Sequence, residues 1–407
     1  MMETLKWKQN QSARQHHQKT ATAWLSEQEV QKAWDFHRRF DVYSVTPLRN
    51  LAHLARFLGV SGIYVKDESY RFGLNAFKVL GGAYAIGRYL AERLGTDIAE
   101  LSFDLLRSEH FKRQLGELTF TTATDGNHGR GVAWAAQQLG QKAVVFMPKG
   151  SAAARLQQII ATGAEGYITD LNYDDTVRLA AEKAKRNGWV LVQDTAWAGY
   201  ADIPSWIMQG YATIAAESLQ QLRELGVEKP THIFLQAGVG SFAAAIQGFF
   251  TSLFAESRPL TVIVEPNKAE CLYLSALAGD GKPRKVDGDL NTIMAGLACG
   301  EPNPIAWEIL RDYSDLFISC PDHLAALGMR ILGNPLGDDP RVVSGESGAV
   351  TTGIVSAIMR DERLKELRDA LQLNADSRIL LINTEGDTDP QHYRKVVWDG
   401  LYPNVCD

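Results

Sequence analysis

The sequence has 407 residues. No uninterrupted apolar run approaches the ~18 residues that a membrane span needs, so no membrane partner is expected. The opening stretch MMETLKWKQNQSARQHHQKT contains no apolar segment, which argues against a secretory signal. Cysteine is scarce: Cys271, Cys299, Cys320 and Cys406 lie far apart, in neither a disulfide framework nor a zinc spacing. No other His or Cys stands at metal spacing from His128, so no metal is expected and His128 reads as a structural turn residue. There is no basic excess either. Lys and Arg total 42 against 48 Asp and Glu, a formal charge of −6, and a nucleic-acid partner would usually need a basic footprint. No residue-level repeat or low-complexity tract occurs. These absences leave a soluble, cytoplasmic, multi-domain protein as the expectation.

What is present is a globular composition, 45% hydrophobic and 22% charged, on a chain long enough for two domains. Strand and helix patterns alternate. Strands are expected at Leu118–Thr122, Lys142–Met147, Glu165–Thr169 and Trp189–Gln193, with helices at Gly129–Leu139, Ser151–Thr162 and Asp174–Arg186 between them. After a longer helix at Ser205–Leu225, strands follow at Thr231–Gln236, Leu260–Val264 and Arg378–Ile382, with a helix at Ser241–Phe254. The apolar runs are short and continuous, as in parallel strands buried on both faces. Alternating units of this kind imply an α/β fold with two open, mainly parallel sheets flanked by helices. Two blocks are expected, 1–74 with 200–407 and a smaller 75–199. The first residues, with Lys6, Lys8, Arg14, His16, His17 and Lys19, read as a solvated or oligomer-packing tail, with a basic binding arm as the alternative.

Four segments carry the chemistry, and in open α/β sheets ligands bind at turns beyond the carboxyl ends of strands. In VKDESYRFGLNAFKVLGGA, Lys78 stands among small and apolar residues. Desolvation would lower its pKa and make it a nucleophile, although a snorkelling helix lysine looks the same locally. The turn TTATDGNHGRG, with Thr124, Asp125, Asn127 and His128, opens a helix, where small residues let amides approach an anion. QAGVGS opens another helix, and its amides can cradle a phosphate. Gly238, Gly240 and Ala243 also fit a G-x-G-x-x-A dinucleotide fingerprint, with Glu265 ending the next strand, which keeps a nicotinamide-dependent enzyme open. NTEGDTD follows the last strand with a cluster of hydroxyl and carboxylate groups. Together the four suit pyridoxal 5′-phosphate, which needs a lysine, an amide nest for its phosphate, a group at its ring nitrogen and a donor for its phenolic oxygen.

These segments resemble the fold type II pyridoxal-phosphate enzymes, the serine and threonine dehydratase group with its tryptophan synthase β-like fold. NAFKVLGGAYAI, TDGNHGRGVAWAAQQLGQ, NYDDTVRLA, VQDTAW, IMAGLACGEPNP and NTEGDTD are similar, in order and spacing, to the diaminopropionate ammonia-lyase family. The resemblance runs from about Thr46 to Trp398. It implies that Lys78 holds the cofactor as a Schiff base, that Gly238, Val239, Gly240 and Ser241 bind its phosphate, that Asn127 bonds its ring oxygen and that Thr384 faces the pyridine nitrogen. It implies an active site in the cleft between the domains, and a homodimer. SGESGA, with Glu346, resembles a segment lying near the cofactor in related enzymes.

One departure from the dehydratases is informative. They place a hydroxyl where Asp125 stands, and Asp194 is a second carboxylate near by. These acids suit a substrate with an extra cation, because a nearby carboxylate keeps an amine protonated. With Thr124 they are the expected substrate contacts, and Asp125 and Asp194 join Lys78 as expected catalytic groups. The implied reaction is α,β-elimination of D- or L-2,3-diaminopropionate to pyruvate and two ammonia, the work of a carbon–nitrogen lyase. A serine/threonine dehydratase and a non-enzymatic binding protein remain as alternatives.

Overall fold

The computed structural model describes residues 4–403 other than 12, 14–18, 102 and 125, so Arg14, His16, His17, Asp125 and Cys406 lie outside the described residues. The chain forms two compact units. The larger comprises Met1–Ser26, Val45–Tyr70 and Ile214–Asp407, and the smaller Glu27–Ser44 and Arg71–Thr213.

The larger unit is built on a seven-stranded sheet. In chain order its strands are β1 (Lys6–Gln9), β2 (Leu48–Asn50), β3 (Gly62–Asp67), β8 (His232–Gln236), β9 (Leu260–Pro266), β10 (Leu316–Cys320) and β11 (Arg378–Asn383). Their spatial order is β1-β10-β9-β8-β11-β3-β2. The five inner strands are parallel, and β1 and β2 run antiparallel at the two edges. The inner strands read as unbroken apolar runs because both faces are covered. Ile63, Val65, Phe234, Val262, Ile318 and Leu381 all enter one core cluster. Each such side chain contributes about 1.5–3 kcal/mol by burial.

The smaller unit has a four-stranded parallel sheet of order β6-β5-β4-β7, from β4 (Thr119–Ala123), β5 (Lys142–Met147), β6 (Glu165–Ile168) and β7 (Val190–Leu191). Its helix Tyr173–Asn187 shows why the local sequence folds as it does. Asn172 caps it by accepting from the Asp175 amide, Asp174 and Asp175 occupy the first turn, Lys185 and Arg186 the last, and Gly188 ends it at φ 68°. Val177, Ala180 and Ala184 form its buried stripe against the sheet.

Lys142–Met147 and Ser241–Phe254 form with the expected bounds. Three features differ. The expected tail contributes β1, where Trp7 packs on the core while Lys6 and Lys8 stay outside the pleat. The strand expected over 189–193 pairs only at Val190–Leu191, because the Gln193 amide turns to the Tyr200 hydroxyl. The compact units also divide elsewhere than at 74 and 200. Residues 27–44 group with the smaller unit, where Phe36 lies so close to Gly87 that a Cβ there would sit 2.4 Å from its ring. His37 bonds the Leu80 carbonyl and the Thr213 hydroxyl in the same unit.

Candidate active site

In the smaller unit, Lys78 immediately precedes the helix Val79–Leu94. Backbone contacts from two other helices fix this start. A Cβ on Gly131, in the helix Asn127–Gln138, would lie 2.7 Å from the Val79 Cα, and one on Gly210 would lie 2.5 Å from the Leu80 carbonyl oxygen. Only glycine allows either approach. The Lys78 side chain is 17% exposed, and its Nζ donates to Asp194 Oδ2 at 3.1 Å. The desolvated lysine expected from apolar neighbours is therefore one half of an ion pair.

Asp194 is buried. Burial alone would push its carboxyl up. The charges of Lys78 and His128 and the hydrogen bond from Lys78 outweigh that and hold it below its ordinary value. Its neighbour Gln193 anchors the loop. Gln193 Oε1 accepts from the Thr122 hydroxyl at 2.9 Å and the Ala123 amide at 3.0 Å, and Nε2 donates to Tyr173. The Tyr200 hydroxyl accepts from the Gln193 amide at 2.8 Å and donates to the Leu191 carbonyl at 2.9 Å, stapling the chain on the strand side of Asp194. His128 donates from Nε2 to the Val192 carbonyl at 2.8 Å, so that nitrogen carries a proton.

Thr124 is buried, and its hydroxyl oxygen accepts from the Gly126 and Gly129 amides at 2.9 and 3.1 Å. It closes the turn that presents Asn127, the first residue of the helix. Tyr211 was not among the expected residues. Its phenol is fully buried with no hydrogen-bond partner among the described residues, and it lies within the fields of both Asp194 and Lys78. Burial holds that phenol neutral.

In the larger unit, QAGVGS leaves β8 and enters the helix Ser241–Phe254. Gly240 has φ +96°, a conformation that favours glycine, and a Cβ on Gly238 would lie 3.0 Å from Cys299 Sγ. The Val239 carbonyl accepts from the Asn303 amide at 2.8 Å. Asn303 Oδ1 accepts from the Ile305 amide, which turns its Nδ2 to the Ser241 hydroxyl at 2.8 Å. The Ser241 oxygen thus accepts within the protein, from the Asn303 side-chain amide. A glycine cradle at the start of a 14-residue helix with such a hydroxyl fits a phosphate. Thr384 follows β11 and its hydroxyl accepts from Gln236 Nε2 at 3.0 Å. Gly348 backs this loop, since a Cβ there would lie 3.1 Å from the Thr384 nitrogen. Nearby in sequence, Glu346 bonds His392 Nδ1 at 2.5 Å.

Glu265, the acid of the dinucleotide reading, is committed elsewhere. It is fully buried and accepts from the Leu272 and Tyr273 amides at 2.8 and 2.6 Å, capping the helix Cys271–Ala278. Burial pushes its carboxyl up to about 8. A group so engaged is not presented to a ribose. Among the described residues no His, Cys, Asp and Glu cluster able to hold a metal occurs, and no helix is long and apolar enough to cross a membrane.

The smaller unit carries a lysine paired to a buried carboxylate, the larger an amide cradle and a hydroxyl beyond β11, and the fold is that of the α/β, fold type II pyridoxal-phosphate enzymes. The family model for pyridoxal-phosphate dependent enzymes matches residues 40–385, and the chain belongs to that family. Within it, the chain is 56% identical over 379 residues to the diaminopropionate ammonia-lyase of Escherichia coli strain K12, covering 93% of each. It is 52% identical over 401 residues to that of Salmonella typhimurium strain LT2, covering 98% of this chain and 99% of the relative. A crystal structure of the Escherichia coli enzyme in complex with an aminoacrylate-PLP azomethine reaction intermediate covers 98% of both chains, with a TM-score of 0.90 and 51% identity.

Proposed function

We propose that this chain eliminates ammonia from 2,3-diaminopropionate, in both D and L forms, to give pyruvate and a second ammonia. The observation that carries the reading is the hydrogen bond between Lys78 and the buried Asp194, in a chain more than half identical to diaminopropionate ammonia-lyases. Bound pyridoxal phosphate supplies an electron sink for the bond pair left at Cα.

The residues divide the remaining work. Lys78 would hold the cofactor through its carbonyl carbon until the substrate's amine took its place there, and the freed Lys78 amine would take the Cα proton from the face it occupies. The amides of Gly238, Val239 and Gly240 and the Ser241 hydroxyl hold the phosphate. Asn127 bonds the ring oxygen, and Thr384 meets the ring nitrogen. Asp194, released from Lys78 once the lysine is engaged, receives the substrate's β-ammonium with Asp125. An ammonium is the better leaving group, and a carboxylate keeps it protonated. Thr124 shapes the substrate turn. The reading includes one cofactor served by both units, and a homodimer acting in the cytoplasm.

The test is direct. Purified protein should be yellow, lose that colour on borohydride reduction, and release pyruvate from both enantiomers of diaminopropionate faster than from serine. A colourless protein, or one that favours serine, refutes the proposal. Light scattering of the holoprotein should report twice the chain mass of 44.9 kDa.

A further inference from the structure

Gln236 is the last residue of β8 and is 1% exposed. Its Nε2 donates to the Ile382 carbonyl at 2.9 Å and to the Thr384 hydroxyl at 3.0 Å. The orientation of an amide is often ambiguous, but here chemistry decides it. A carbonyl only accepts, so the nitrogen must face Ile382. The same nitrogen therefore faces Thr384, whose oxygen must accept. A hydroxyl that accepts from an amide has to direct its own hydrogen to another partner. β8 and β11 are adjacent strands, paired at His232 with Ile379, so the sheet itself sets the reach from Gln236 to Thr384.

We propose that Gln236 is a positioning residue that locks the Thr384 hydroxyl as a hydrogen-bond donor, so that the aromatic nitrogen it meets is held without a proton. This rests on the reading above that Thr384 faces the cofactor's ring nitrogen. A donor at that nitrogen stabilises its lone pair and opposes protonation. An unprotonated ring withdraws electrons less strongly. That favours a substrate with a good leaving group at Cβ over slower reactions that need a long-lived carbanion.

The test uses holoprotein reconstituted with pyridoxal phosphate labelled with ¹⁵N in the ring, read by ¹⁵N NMR across pH. Wild-type protein should show the unprotonated pyridine position throughout. In Gln236→Glu, an oxygen replaces the amide nitrogen and accepts from Thr384 in either charge state of the new side chain. The Thr384 lone pair then turns to the ring, and the resonance should move toward the pyridinium position. Gln236→Leu removes the donor without replacing it, and its ring nitrogen should become titratable. A pyridinium shift in the wild type overturns the assignment, as does an unchanged resonance in either folded, cofactor-loaded variant. If the glutamate variant fails to fold, the leucine variant decides alone. Wild-type protein that takes up no cofactor refutes the underlying functional reading, and the assignment with it.

Discussion

Lys78 Nζ and Asp194 Oδ2 stand 3.1 Å apart, so the lysine the chemistry needs and a buried carboxylate beside it neutralise each other. Each is the other's resting partner. Lys78→Ala should abolish steady-state pyruvate formation and leave the chain folded. The fold should be weakened, because removing one partner of a buried pair strands the other, at about 3–5 kcal/mol unless it takes up a proton. Circular dichroism and a pyruvate assay on the variant check both parts. Sustained turnover would end the assignment.

Asp194→Asn should raise KM for diaminopropionate far more than for serine. Only the first substrate brings a second ammonium for the carboxylate to hold. Equal damage to both substrates would show that Asp194 serves structure alone.

Asp125→Asn concerns stereochemistry. Lys78 serves one face of the cofactor plane, so the enantiomer that presents its proton to the other face needs a second base. The variant should lose about 100-fold or more on D-diaminopropionate, the scale of a removed general base, and less on the L form. Kinetics on each pure enantiomer decide it, and equal losses would make Asp125 a binding residue.

Gly131→Ala places a methyl 2.7 Å from the Val79 Cα and 2.8 Å from its nitrogen, against rigid backbone beside Lys78. The helical preference of alanine contributes about 1 kcal/mol, and forced overpacking costs about 1–3 kcal/mol. The net effect should be a lower melting temperature and a kcat reduced by up to ~100-fold through displacement of Lys78. Unchanged kcat would mean that the helix start can move without harm.

His392→Gln tests a titration. The hydrogen bond to Glu346 raises the His392 pKa, with the Glu346 and Asp389 charges in support and burial and Lys395 opposing. A pKa raised by folding stabilises most below the ordinary value of ~6.5 and loses that contribution as pH rises through the folded value. The variant should therefore cost more stability at pH 5.5 than at pH 9, within about 1 kcal/mol for a partly exposed pair. Chemical denaturation at both pH values is the measurement, and a pH-independent cost would refute it.

The sequence made the inner strands readable because burial on both faces leaves an unbroken apolar run, as in KAVVFM and THIFLQ. β1 is not legible in this way, because an edge strand of four residues with one packed side chain, Trp7, resembles a polar tail. The glycine turn, Lys78 and NTEGDTD were legible as local motifs. Gln236 lay within a recognised turn, but its significance depends on a hydroxyl 148 residues away. Asn303 acts on Ser241 across 62 residues, and Tyr211 sits in an ordinary amphipathic helix. Such roles come from chain closure rather than local pattern.

The position of β11 also bears on biosynthesis. The last strand among the described residues, Arg378–Asn383, lies between β8 and β3 and joins them. A ribosome must therefore release the chain through Asn383 before the larger sheet can close, whereas the strands of the smaller sheet are complete by Leu191. Until then β8 and β3 present open parallel edges, which are templates for pairing with other chains. A nascent chain halted before Arg378 would carry a finished smaller sheet beside a split larger one, and would call for chaperone protection throughout that interval.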